Sequence, residues 1–254
     1  MSKILEVENL YKSFTTHHLD KKITPVRGVS FSVDEGDFIG IVGKSGSGKS
    51  SIIKCIYRTY NTTEGNIWYD STSYGRINLA NIGERVVINL RKDEIGYVSQ
   101  FLQIMPRTTC LELVTTSLIE TGYSKDLAEK KAKETLKYFE LAEELWDIYP
   151  STFSGGEKLR LNIAMAIVKK PRLLLLDEPT ASLDNESKVK VKKAFKNLQK
   201  FGTTMVGIFH DLEFMQDLTN KIYYLNDKRL EVINWFVIYT FTVTFLILLE
   251  VFKK

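Results

Sequence analysis

Cysteine is scarce in this chain. Two in 254 residues, Cys55 and Cys110, are too few and too far apart for a disulfide framework or a zinc site. A charge excess of one sign is missing as well: 35 Lys and Arg stand against 31 Asp and Glu, for a formal net charge of +4. The Lys pairs Lys21-Lys22, Lys169-Lys170 and Lys192-Lys193 are scattered rather than gathered into a stripe with aromatic neighbours, which argues against a nucleic-acid partner. The opening Met1-Ser2-Lys3-Ile4-Leu5-Glu6 lacks the apolar core of a signal peptide, so the main body is expected in the cytoplasm. No internal repeat or low-complexity tract breaks the chain. With 44% hydrophobic and 26% charged residues it has the balance of a globular protein with ample core, and 254 residues allow one large domain or two ordinary ones.

The chemistry begins at Gly43-Lys44-Ser45-Gly46-Ser47-Gly48-Lys49-Ser50, which follows the apolar run Phe38 to Val42 and opens the helical pattern Ser51, Ile52, Ile53, Cys55, Ile56. An ordinary Gly/Ser turn would not account for both the strand before it and the helix after it. Three glycines let the backbone turn tightly, so that successive N–H groups and a helix N-terminus converge on an anion. This is a phosphate-binding loop, in which Lys49 reaches the β and γ phosphates of a nucleotide and Ser50 reaches Mg²⁺.

Around that loop, strand and helix patterns alternate. Ile4 to Val7, Val29 to Val33, Phe38 to Val42, Ile67 to Tyr69 and Ile95 to Val98 have strand character, several bounded by turn residues such as Glu35-Gly36 and Glu64-Gly65. From about Pro106 to Lys170 helical spacing takes over, with Ala128, Ala132, Leu136 and Phe139 on one helix face. Strands return at Leu173 to Leu176, Thr203 to Phe209 and Lys221 to Leu225, and a Lys-rich helix from about Asn185 to Lys200 separates the first two. Buried strands joined by helices predict an α/β fold with a mostly parallel sheet core, crossover helices and an inserted helical subdomain at about 106–170. The strand Leu173-Leu174-Leu175-Leu176 runs into Asp177-Glu178, two acids at its carboxyl end, where open α/β sheets place ligands. Asp177 suits a Mg²⁺ partner and Glu178 a base that orients a hydrolytic water. Taken alone, the pair could equally be acids decorating a helix N-terminus.

A third segment, Phe153-Ser154-Gly155-Gly156-Glu157, makes a family resemblance specific. Together with the phosphate loop, Leu173 to Glu178, Gln100, the Ser182-Leu183-Asp184 turn and His210, it resembles the nucleotide-binding domain of an ABC-type ATPase. The resemblance implies a P-loop NTPase with an added antiparallel β subdomain, ATP and Mg²⁺ as cofactors, and a dimer with itself or with a related ABC ATPase. It implies that residues 43–51, from Gly43 through Lys44, Ser45, Gly46, Ser47, Gly48, Lys49 and Ser50 to Ser51, hold ATP. Ser154, Gly155 and Gly156 would meet the γ-phosphate held by the partner, and Ser50, Asp177 and Gln100 would hold Mg²⁺. Glu178 would be the base, Gln100 would link metal and attacking water to the helical subdomain, and His210 would contact the γ-phosphate. Phe14 would stack on adenine, with Tyr11 as its rival for that role.

Phe153 and Glu157 stand where leucine and glutamine are usual in that family, and Met165 where arginine is usual. An acid at position 157 would repel a γ-phosphate, so its side chain is expected to point away from nucleotide. The Phe-Ser-Gly-Gly-Glu variant and the stretch Gly96-Tyr97-Val98-Ser99-Gln100-Phe101-Leu102 are similar to the ATP-binding protein of phosphonate carbon-phosphorus lyase systems, the PhnL type. That branch implies an ATPase working with the subunits of the lyase core complex in phosphonate metabolism. The other reading is the energy-coupling subunit of a transporter, and a third is an ATP-driven clamp that hydrolyses slowly.

The chain end stands apart. Val232 to Leu249 carries no charge and approaches the roughly 20 apolar residues that span a bilayer. Phe241 to Phe245 alternates with period two, as a strand would. Residues 1–233 are thus expected to form the ATPase domain. Residues 234–254 are expected to form a hydrophobic tail that contacts a membrane, packs as a terminal strand or helix, or is an atypical chain end.

Overall fold

The computed structural model describes residues 2–16, 21–99, 102, 106–226 and 229–233. Gln100 and the tail at 234–254 lie outside the described residues.

Two sheets carry the molecule. In the first, β1 (Lys3–Thr16) pairs antiparallel with β2 (Lys21–Asp34) on one side and with β4 (Glu64–Ser71) on the other, and β5 (Gly75–Asn78) adds to β4. Leu5 faces Val33 and Val7 faces Phe31 across the first pair, while register shifts near Leu10 and Lys12 bend the long strands. The second sheet runs β10-β9-β3-β8-β7-β6. Its strands β3 (Phe38–Gly43), β6 (Ile95–Val98), β7 (Leu173–Asp177), β8 (Thr204–Ile208) and β9 (Lys221–Asn226) are parallel, and β10 (Arg229–Ile233) closes the edge antiparallel to β9. The parallel core and the antiparallel sheet are those the sequence and its resemblance predicted.

The run of leucines in β7 shows why this sheet is buried on both faces. Leu173 and Leu175 enter a core with Ile39, Ile41, Val206 and, from the antiparallel sheet, Leu5 and Val29. Leu174 and Leu176 enter a second core on the opposite face with Phe38, Met205 and Phe195. Period-two alternation sends successive side chains to opposite faces, and each fully buried leucine contributes on the order of 1.5–3 kcal/mol. The first core also takes Ile52 and Ile53 of α1 (Lys49–Ile56), which wedges that helix between the two sheets. On the far face, α6 (Asn185–Lys200) lays down Val191, Ala194, Phe195 and Leu198.

Between β6 and β7 stand α3 (Cys110–Ile119), α4 (Lys125–Tyr138) and α5 (Gly155–Ile167), with short 3-10 turns at Glu143–Leu145 and Pro150–Thr152. They share a third core that includes Val114, Ala132, Leu136, Phe153 and Leu161. Ala128, Ala132 and Leu136 form the buried face of α4, but Phe139 packs into the core beside α6, joining the helical segment to the sheet. The remaining helices are α2 (Glu84–Asp93) and α7 (Leu212–Met215). α2, β5 and β10 lie outside the strand and helix patterns of the sequence: α2 buries only Val87 and Leu90, too few for a helical stripe, and β5 is a short polar edge strand. The strand pattern at Val29 to Val33 is one part of the longer β2.

Glu94, buried where the two sheets meet, accepts hydrogen bonds from Tyr69 Oη, Ser71 Oγ and the backbone N–H groups of Thr72 and Ser73. Burial alone would push its carboxyl up; the donors from Ser71, Ser73 and Thr72 hold it below its ordinary value.

Candidate functional site

Parallel strands place the carboxyl ends of β3, β7 and β8 at one end of the sheet, and the glycine loop leaves the first of them. Gly48 is the N-cap of α1 with φ 108°, and a Cβ there would sit 2.2 Å from the carbonyl oxygen of Pro25, so only glycine fits the turn. No side chain caps this helix, which leaves its first-turn N–H donors for a ligand. Lys49 is 4% exposed and its Nζ donates to the carbonyls of Gly43 and Lys44, both at 2.8 Å, which curls the loop around the ammonium. Burial lowers the Lys49 pKa, while Glu178 and Asp177 pull it back up. Ser47 Oγ is buried without a hydrogen-bond partner. Lys44, Ser45 and Gly46 form the exposed tip, and Ser51 N donates to the Gly48 carbonyl at 3.0 Å as the helix begins.

Asp177 closes β7 at 2% exposure. Its Oδ1 accepts from Ser50 Oγ at 2.8 Å and its Oδ2 from Tyr97 Oη at 3.2 Å, so Ser50 and Asp177 meet across 127 positions of sequence. Glu178 follows at φ 55°, a left-handed conformation that costs a non-glycine residue of order 1 kcal/mol or more. Its N–H donates to Ile208 O at 3.2 Å, and its Oε1 lies 2.8 Å from His210 Nε2. The two line a hollow of about 280 Å³ with Thr180, Ala181, Lys188 and Asp211. His210 is held at the end of β8 because Asp211 caps α7 through Phe214 N and pairs with Lys188 Nζ at 2.6 Å.

Ser154 is the N-cap of α5 in a reciprocal capping box. Its Oγ accepts from Glu157 N at 3.3 Å, and Glu157 Oε2 accepts from both the N–H and the hydroxyl of Ser154 at 2.8 Å. These bonds, the backbone one first, hold the Glu157 carboxyl below its ordinary value. The acid therefore folds back over its own helix start. Gly155 and Gly156 pack against Ser182, which brings the Ser-Gly-Gly segment to the 182–184 turn. No hydrogen bond or ion pair among the described residues joins residues 154–156 to the phosphate loop. Phe14 makes its ring contacts outside the loop, edge-on to Tyr60 at 5.1 Å and under Lys12 Nζ at 4.6 Å. Tyr11 lies with its ring against Gly28. Gln100 is outside the described residues, but its neighbour Ser99 accepts from Asn162 of α5 through its carbonyl at 2.7 Å.

Three residues of this neighbourhood carried no sequence signal: Tyr97 on Asp177, Asn162 on Ser99, and Arg160, whose Nη1 donates to Ser187 Oγ at 2.9 Å. Each meets a partner dozens of positions away. A strand pairing alone could have found Tyr97, since β6 and β7 align Tyr97 with Leu175.

The donor set fits a nucleotide phosphate accompanied by a divalent cation. An uncapped helix start, a buried ammonium and a partnerless hydroxyl lie within residues 47–50, the kind of donors an anion takes up, and Ser50 pairs with Asp177. Among the described residues no group of three His, Cys, Asp or Glu could hold a metal by itself. Magnesium, which takes one or two carboxylates plus substrate phosphates, suits such a sparse site. A glycine loop opening the first crossover helix and acids at the end of a buried strand of the same sheet, with one strand between them, define a P-loop nucleotide-binding protein.

The comparisons go further. A family model described as ABC transporter matches residues 26–181. An uncharacterized ABC transporter ATP-binding protein of Thermotoga maritima is 32% identical over 231 residues, which cover 91% of this chain and 95% of that protein. The glutamine transport ATP-binding protein GlnQ of Escherichia coli is 31% identical over 228 residues, 89% of each. MJ0796 of Methanocaldococcus jannaschii, solved as a dimer in a post-hydrolysis state bound to ADP and Pi, superposes with a TM-score of 0.81 at 31% identity, covering 89% of this chain and 96% of that one. The chain belongs to the ABC transporter family, as one of its ATP-binding domains.

Proposed function

We propose that this chain is the Mg²⁺-dependent ATPase subunit that couples ATP hydrolysis to a membrane transporter. Residues 1–233 form the ATPase domain, and residues from about 106 to 170 its helical subdomain. The observation that carries the reading is the meeting of Ser50 with Asp177 beneath an uncapped, glycine-opened helix. The named relatives support the transporter setting: one is a glutamine transport subunit and one an ABC transporter ATP-binding protein. The resemblance to the phosphonate carbon-phosphorus lyase ATPase draws no support from them. No helix among the described residues is long and apolar enough to cross a membrane.

In this reading the N–H groups of 46–51 and Lys49 bind the phosphates, and Ser50 and Asp177 hold Mg²⁺, with Gln100 as a further ligand. Bound Mg²⁺ neutralises phosphate charge and aligns the leaving oxygen. Glu178 accepts the proton of the attacking water, and its strained backbone and hydrogen bond to His210 fix where the carboxylate points. His210 steadies the γ-phosphate side of the site. Phe14 stacks on adenine. The dimer of MJ0796 supports an arrangement in which Ser154, Gly155 and Gly156 of one copy complete the site of another.

Glu178→Gln tests the assignment. Steady-state turnover should fall by about a hundredfold or more, the scale of losing a general base, while ATP-driven dimerisation persists in light scattering. Unchanged turnover would sink the role of Glu178. Co-purification from membranes decides the setting: a multi-span partner supports coupling to transport, and soluble lyase subunits alone overturn it.

A further inference from the structure

Beyond the residues that touch nucleotide or metal, we infer that Tyr97 is a positioning residue for Asp177 and sets how well the site takes up Mg²⁺; this rests on the functional reading above. Asp177 is 2% exposed, and a polar group so buried needs hydrogen-bond partners. Among the described residues two side chains donate to it, Ser50 on Oδ1 and Tyr97 on Oδ2. Ser50 is itself assigned to the cation. Tyr97 is the donor to Asp177 that has no role toward the cation itself.

The phenol is itself held firmly. Its ring stacks on Tyr57 with centroids 4.7 Å apart and planes 26° from parallel. Arg91 covers the other partner of that stack at 4.4 Å and donates Nε and Nη2 to the Tyr57 carbonyl. Parallel pairing of β6 with β7 sets the height of Tyr97 along the sheet, opposite Leu175 and two residues short of Asp177. The rings of Tyr57 and Tyr97 also line a groove of about 910 Å³ with Arg91, Asn162 and Asp177. Tyr97 thus spans from an open surface to the buried acid.

Tyr97→Phe keeps the ring stack and deletes the donor. Binding of a fluorescent, slowly hydrolysed ATP analogue to the full chain is measured against Mg²⁺ concentration and again in EDTA. The half-saturating Mg²⁺ concentration should rise by about tenfold, the usual scale for losing an outer-shell partner of a metal ligand, while binding in EDTA matches the wild type. Tyr97→Leu, which also removes the ring, should show the same Mg²⁺ shift and a lower melting temperature. An unshifted Mg²⁺ requirement in Tyr97→Phe overturns the inference. So does a parallel loss of binding in EDTA, the mark of a structural role only. A wild-type chain that binds the analogue without any response to Mg²⁺ overturns the functional reading, and this inference with it.

Discussion

Two helices of this chain begin at Ser/Gly loops, and they treat their first-turn donors in opposite ways. At α1 the N-cap is Gly48, no side chain closes the turn, Lys49 is buried beside it and Ser47 Oγ has no partner. At α5 the N-cap is Ser154, and Glu157 closes both its N–H and its hydroxyl within a few residues of sequence. An anion arriving at α1 meets a helix start that no side chain covers, the buried ammonium of Lys49 and a hydroxyl without a hydrogen-bond partner. An anion arriving at α5 must displace a carboxylate first. The pair therefore divides the proposed work: α1 is a complete phosphate site within one chain, and α5 is a self-satisfied start that contributes only when a second copy brings nucleotide to it.

The strongest way to break that division is Lys49→Ala. Hydrogen bonds to charged groups contribute about 1.5–3 kcal/mol each, so removing the ammonium should weaken binding of an ATP analogue to the monomer by roughly a hundredfold in calorimetry. Ser154→Ala should leave monomer binding within about twofold. If the two variants lose affinity equally, the division between the helix starts is wrong.

The legibility of these two sites differed for the same physical reason. The loop and Leu173 to Asp177 are each an unbroken stretch of sequence, so a strand, a tight turn and a helix start could be read directly, and α6 (Asn185–Lys200) coincides with the Lys-rich stretch, its start capped by Asp184 accepting from Ser187 N. Glu157 was expected to point away from nucleotide on charge alone. Its actual posture follows from the Ser-x-x-Glu spacing, a capping box visible in the sequence but overshadowed by the family resemblance. Tyr97 was illegible because its partner is 80 positions away, across a parallel pairing that no local pattern reveals. The long strands β1 and β2 were underestimated because bulges at Leu10 and Lys12 interrupt the alternation that marks a strand.

Ser154→Ala sharpens the comparison through stability. Losing an N-cap serine costs about 1 kcal/mol, read as a lower melting temperature at neutral pH. Glu157 has a folded pKa below its ordinary 4.5, so its contribution is whole above that value and is lost as pH falls through the lower folded one. The gap between wild type and Ser154→Ala should narrow in acid without vanishing, because Ser154 Oγ still accepts from Glu157 N when the carboxyl is protonated. A gap independent of pH would mean that the carboxylate does not hold the serine.

Ser47→Ala produces the smallest change in stability. Ser47 Oγ is buried with no partner, and removing an unsatisfied hydroxyl is close to neutral or slightly stabilising, within about 0.5 kcal/mol by chemical melting. The same hydroxyl lies in the loop assigned to the phosphates, so deleting it should weaken analogue binding about fivefold, the scale of one hydrogen bond. Ser154→Ala runs the other way, costing stability while sparing monomer binding. This crossing of signs separates a donor kept open for a ligand from one spent on its own helix. A Ser47→Ala chain that melts distinctly lower and binds normally would place Ser47 with Ser154 and erase the difference between the two helix starts.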